Sequence, residues 1–148
     1  MTDKKWQLEF YEDDNGRAPC REWMSSLPPL QRAALAEALT QVLAVRGLDV
    51  CGTEWGKQLG DGLFEFRIRH SGLEIARMFG ESTVADEGSR RKDKVLLRVF
   101  CHAYGRRIVL LISGYDKGAH PDKRRQEREI KAARKALTAF KAHKRRGK

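Results

Sequence analysis

Residues 63–70 alternate without a break. Phe64, Phe66 and Ile68 fall on one parity, and Glu65, Arg67 and Arg69 on the other. Successive side chains leave a strand on opposite faces, so a period of two predicts a strand with one apolar and one charged face. Residues 95–103 repeat the pattern: Leu97, Val99, Cys101 and Ala103 against Arg98, Phe100 and His102. The segment Tyr104-Gly105-Arg106-Arg107 turns the chain into an apolar run over 108–113, suited to a central strand. Residues 6–11 predict a fourth, short strand, with Trp6, Leu8 and Phe10 on its apolar side. Short turns between consecutive strands imply antiparallel pairing.

Helices are expected at the two ends of the chain. Pro19 suits a first helical turn and predicts a short helix through Cys20, Trp23 and Met24. Over 30–46, Ala34, Leu35, Ala38, Leu39, Val42 and Val45 recur at helical steps, and Gly47 is a fitting stop. A last helix is predicted from Pro121 or Asp122 to about His143, with a narrow seam of Ile130, Ala133, Leu137 and Phe140. The glycine-rich stretch 48–62 reads as loop and turn, 73–79 as a short strand, and 81–94 as a flexible inserted loop. Strands grouped between terminal helices predict an α+β fold, and 148 residues fit one domain spanning 1–148.

Several function classes are excluded at this level. No stretch approaches the roughly 18 apolar residues of a membrane span. The N-terminus has no apolar signal region, so a cytoplasmic setting is expected. Cys20, Cys51 and Cys101 form no Cys-x-x-Cys pair, and the four histidines fall at no metal-binding spacing. No metal and no cofactor are expected. There is no phosphate-binding loop ending in Gly-Lys-Ser/Thr and no Gly-x-Ser-x-Gly.

Charge is unevenly distributed. From residue 115 onward there are 13 Lys and Arg against 4 Asp and Glu, a net of +9, whereas the first 114 residues net only +1. A localised basic field points to a polyanion such as RNA, DNA or a ribosome, or to an acidic protein. On the last helix Arg124, Arg128, Lys131 and Lys135 form one positive stripe, which either binds such a partner or is simply solvated. If the charged faces of the two alternating strands coincide, Arg67, Arg69, Arg98 and His102 share one side of the sheet. Tyr115 and Lys117 then hang at the end of the next strand. Such a cluster either grips phosphates through arginine forks or is an ordinary solvated face paired to Glu65.

The residues also resemble a known family. Lys57-x-Leu59 followed by Gly62-Leu63-Phe64-Glu65-Phe66-Arg67 is similar to the K-x-L…LxELR block of the phage-type RelE/HigB toxins. Leu97-Arg98-Val99-Phe100, then Gly105-Arg106-Arg107-Ile108-Val109-Leu110-Leu111, then Gly114-Tyr115-Asp116-Lys117, resembles a second block of that family. Pro19 to Leu27, and Pro121 with Glu129-Ile130 and Ala133-Arg134, resemble its first and last helices. Residues 71–94 look like an insertion, and Gly118 stands where the family often has a second lysine.

The resemblance implies a RelE-like α+β fold, with N-terminal helices on a twisted antiparallel sheet and a basic C-terminal helix. It implies a metal-independent endoribonuclease that cuts messenger RNA on the ribosome. A cognate antitoxin, often a helix-turn-helix protein, would neutralise it. In such chemistry the ribose 2′-OH attacks the adjacent phosphate in line, so the protein must orient the strand, stabilise charge and move two protons. Arg67 and Arg98 are then expected to stabilise the phosphate. Lys117 is expected to stabilise the same charge or protonate the leaving oxygen, and Tyr115 or His102 to handle a proton or stack on a base. Lys57, Arg69, His102, Arg124, Arg128 and Lys131 are expected to bind RNA. The competing expectation is a non-catalytic RNA- or protein-binding module on the same fold; a DNA-binding regulator has no recognition-helix signature here.

Overall fold

A computed structural model describes residues 5–79 and 94–146. Its centre is a five-stranded sheet formed by β1 (Gln7–Phe10), β2 (Gly56–Gly60), β3 (Leu63–Ser71), β4 (Lys94–Tyr104) and β5 (Ile108–Asp116). Their spatial order is β1-β5-β4-β3-β2. Three of the four pairings are antiparallel, as short turns require, but β1 lies parallel to β5 at the edge. The sheet is therefore mixed, not purely antiparallel. The reason is that β1 is joined to its neighbour by the whole intervening chain, which leaves its direction free.

One face of the sheet is covered by α1 (Pro19–Ser26) and α2 (Pro29–Ala38). Helical structure continues from α2 through a π-helical stretch, Leu39–Leu43, into α3 (Ala44–Arg46). The single helix expected over 30–46 is thus present, with one wide turn inside it. Gly47 ends it at φ +54°, and a Cβ there would stand 2.0 Å from the Trp6 ring, so only glycine fits. The core on this side joins Leu35, Ala38 and Leu43 to Phe64, Phe66, Ile68, Leu97 and Val99. The opposite face is covered by α5 (Lys123–Arg146), whose Ala133 and Leu137 pack on Leu63, Phe100, Leu110 and Ile112. Asp122 caps this helix, its carboxylate accepting the Arg125 N–H at 2.8 Å.

Three local expectations are corrected. Within the stretch 48–62, read as loop, Gly47–Gly52 is a 3-10 turn and Gly56–Gly60 is strand β2. Asp61 and Gly62 close the β2–β3 hairpin at φ +56° and +86°, the two left-handed positions a two-residue hairpin turn demands. The segment 73–79, read as strand, is helix α4 (Gly72–Phe79). A reciprocal cap starts it: the Ser71 N–H donates to Glu74 Oε1 at 2.8 Å, and the Glu74 N–H to Ser71 Oγ at 3.1 Å. Tyr115, expected to hang beyond a strand over 108–113, lies within β5. The loop expected over 81–94 falls outside the described residues except for Lys94, which opens β4.

A register shift in the β4–β5 ladder decides what the sheet presents. Cys101 pairs with Leu111 but Phe100 pairs with Ser113, so Ile112 is one residue too many. Before this bulge, Leu110 faces α5. After it, Ser113 and Tyr115 take that face, and Gly114 turns toward α1, where a Cβ would stand 2.3 Å from the Trp23 ring.

Candidate nucleic-acid site

Because paired residues share a face, the ladders set the charged side chains out in rows. The central row runs Arg67–Arg98–Tyr115 across β3, β4 and β5. The next row toward the β2–β3 hairpin is Lys57–Glu65–Phe100–Ser113, and on the other side Arg69 pairs with Leu96. The Leu96 carbonyl also accepts the Lys117 N–H at 2.9 Å, which brings Lys117 alongside that outer row. Alternation therefore does bring Arg67, Arg69 and Arg98 to one face, and the bulge adds Tyr115.

The face is solvated only at its Arg69 end; around Arg98 it is buried, contrary to the simpler expectation. Arg98 is 5% exposed, Glu65 1% and Tyr115 1%, while the Arg67 side chain keeps 21%. Hydrophobic neighbours and α5 account for this: Tyr115 stacks on Phe100 at 6.1 Å, and the Arg125 guanidinium lies 5.9 Å from the Tyr115 ring. Arg125 is held by Glu129, Nε to Oε2 at 2.6 Å. Glu65 Oε1 lies 3.4 Å from Arg98 Nε and 4.0 Å from Arg67 Nε. Arg98 Nη1 donates to the Leu97 carbonyl at 3.2 Å.

Polar atoms without partners gather here. Glu65 Oε2, Arg67 Nε, Arg98 Nε, Ser113 Oγ and Tyr115 Oη are all buried with no hydrogen bond within the fold. Folded chains rarely leave buried polar atoms unbonded, so a cluster of them on one face makes it a candidate site for a polar ligand or water. Burial and then the nearby Glu65 charge push the Tyr115 phenol above its ordinary value, so at neutral pH it is a neutral O–H donor. Burial, opposed by Glu65, lowers Arg98.

The remaining expected residues lie apart from this row. His102 is four residues along β4 from Arg98, about 13 Å at 3.3 Å per residue. Its Nδ1 lies 2.8 Å from the Gly62 carbonyl, which requires a proton on Nδ1, and its ring stacks on Tyr104 and meets the edge of Phe140. With Arg134 donating to the Leu59 and Gly60 carbonyls and Lys141 to that of Asp61, His102 helps α5 clasp the hairpin tip. His102 thus contributes to holding the hairpin tip and lies outside the Arg67–Arg98–Tyr115 row. Lys57 is exposed on edge strand β2, and Arg124, Arg128, Lys131 and Lys135 are all exposed along α5, whereas Arg125 is half-buried. Arg124, Glu127, Arg128 and Lys131 line one shallow, mostly cationic depression.

Sequence reasoning placed Glu65 only as a counter-charge and did not single out Ser113 or Arg125. The signal for Glu65 was its spacing of two from Arg67 on one strand face. Ser113 and Arg125 had none, since the bulge and the approach of α5 select them. Among the described residues, no group of three or more His, Cys, Asp or Glu side chains could hold a metal ion, and no helix is long and apolar enough to cross a membrane. No protein-family model and no curated protein matches this chain.

Proposed function

We propose that this chain is a ribosome-dependent endoribonuclease toxin of the RelE/HigB type, cleaving messenger RNA and held in check by a small antitoxin, of helix-turn-helix kind. The observation that carries the reading is the Arg67–Arg98–Tyr115 row, with unbonded buried polar atoms concentrated around it. Two guanidiniums and a neutral phenol suit a phosphate gaining charge: arginine supplies a forked donor and Tyr115 a single O–H. Lys117, one row out, adds charge to the same end of the face. Beside this row, α5 presents Arg124, Arg128, Lys131 and Lys135 as a sequence-independent grip on ribosomal RNA phosphates. In the cleavage step the ribose 2′-OH loses its proton and attacks the phosphate seated over Arg67 and Arg98, the bond to the 5′-oxygen of the next nucleotide breaks and that oxygen takes up a proton, which leaves a 2′,3′-cyclic phosphate.

The deep burial of Arg98 favours a second reading, a non-catalytic RNA- or protein-binding module on the same fold. One experiment separates the two. Induced alone in a bacterium, the chain should arrest translation, and 5′-end mapping should find new ends inside translated messages. Arrest with intact messages would leave the binding module.

A further inference from the structure

Arg67 and Arg98 are registered partners in the β3–β4 ladder, so two guanidinium side chains stand directly opposite each other on one face. Like charges in that relationship repel. Glu65 answers both with a single oxygen, Oε1, at 3.4 Å from Arg98 Nε and 4.0 Å from Arg67 Nε. Its other oxygen is buried without a hydrogen bond. A carboxylate only 1% exposed is an expensive way to neutralise charge, and an apolar residue of like size commonly serves a fold as well as a buried ion pair does. What the carboxylate adds is direction. Its Oε1 sits within ion-pair distance of both Nε atoms, though neither Nε is hydrogen-bonded, while Arg98 Nη1 donates to the Leu97 carbonyl.

We infer that Glu65 is a positioning residue, whose carboxylate sets the Arg98 and Arg67 guanidiniums in the orientation that receives a phosphate. The inference rests on the endoribonuclease reading for what passes over the two arginines. It makes a prediction of opposite sign from simple charge balance. Removing a negative charge strengthens attraction for phosphate, so Glu65→Gln should bind RNA-bearing ribosomes as tightly as the unsubstituted chain or more tightly. Lost orientation should nevertheless slow cleavage.

The test uses the full chain and its Glu65→Gln and Glu65→Asp variants. Single-turnover cleavage of messenger on programmed ribosomes should fall at least tenfold in both, with ribosome affinity kept and melting temperature little changed in Glu65→Asp. The aspartate keeps the charge and the ion pair's sign but withdraws the oxygen, so a role in neutralisation alone tolerates it. In parallel, rotation of the Arg98 guanidinium about its Nε–Cζ bond, read by nitrogen-15 NMR on the free chain, should quicken at least tenfold in Glu65→Gln. Full cleavage by Glu65→Asp, or losses of rate matched by losses of folded protein, would overturn the inference. If the unsubstituted chain cuts nothing while Arg98 rotation responds, the endoribonuclease reading has failed and the orienting contact stands. If the chain cuts and neither variant differs from it, the orienting contact has failed and the reading stands.

Discussion

Arg98 and Tyr115 are registered partners across the β4–β5 ladder, and both are almost fully buried on the face that α5 half covers. The pair stands side by side only because the ladder slips by one residue at Ile112.

The two arginines of the row should differ in what they do for the fold. Arg98 is buried and is the nearer partner of Glu65, so Arg98→Ala strands a buried carboxylate and should destabilise by about 3–5 kcal/mol. Arg67 is farther from Glu65 and more exposed, so Arg67→Ala should lower stability much less while still removing toxicity. Thermal melting beside growth arrest checks both. Equal melting losses would contradict the unequal burial of the two side chains. The alternative of an ordinary solvated face does not hold at Arg98, which is buried.

Tyr115→Phe removes an O–H that has no hydrogen-bond partner in the fold. Stability should therefore hold or rise slightly, because a buried unbonded hydroxyl opposes folding. Cleavage should fall if the phenol serves the phosphate. Melting and single-turnover cleavage on the same preparation read the two effects apart.

Stability should decline in alkali. Burial, together with the Glu9 carboxylate that accepts its O–H at 2.5 Å, raises Tyr104 from 10.0 to about 12. Tyr115 is raised as well. The folded state holds these protons more tightly than the unfolded chain, so their contribution is complete below pH 10 and lost as pH climbs through about 12. Denaturant midpoints measured from pH 8 to 12 should fall above 10, and the fall should shrink in Tyr104→Phe.

Ribosome association should weaken steeply with salt, since each phosphate contact releases counter-ions. Charge reversal at Arg124, Arg128 and Lys131 should reduce both the affinity and the salt slope. The fold should survive, because these side chains lie outside the seam of Ala133 and Leu137, which is untouched. A salt-insensitive association, measured by sedimentation, would count against the stripe as the docking surface.

The strands β3 and β4 were legible because alternation reports burial directly: Phe64, Phe66, Leu97 and Val99 do enter one core. Helix α5 was legible for the same reason at helical spacing. Strand β2 was not, because Gly56, Lys57, Gln58 and Gly60 give an edge strand almost no apolar signal. Helix α4 was misread because Leu73, Ile75 and Phe79 fit a strand as well as one short helix, and the Ser71–Glu74 cap was the cue that decided it. The arginine face was found by parity alone. Its burial was not, since that depends on how α5 lies across it.

The bulge at Ile112 sets which residue meets Arg98. Were the ladder paired evenly with Ile112 kept, Phe100 would meet Ile112, Arg98 would meet Gly114, and Tyr115 would fall opposite Leu97 on the Trp23 side. Deleting Ile112 instead leaves Phe100 opposite Ser113 and Arg98 opposite Tyr115, so the row should survive that deletion at the cost of one buried side chain. The bulge is thus a spare residue that a one-codon deletion can use up, whereas an evenly paired stretch of strand has none to give.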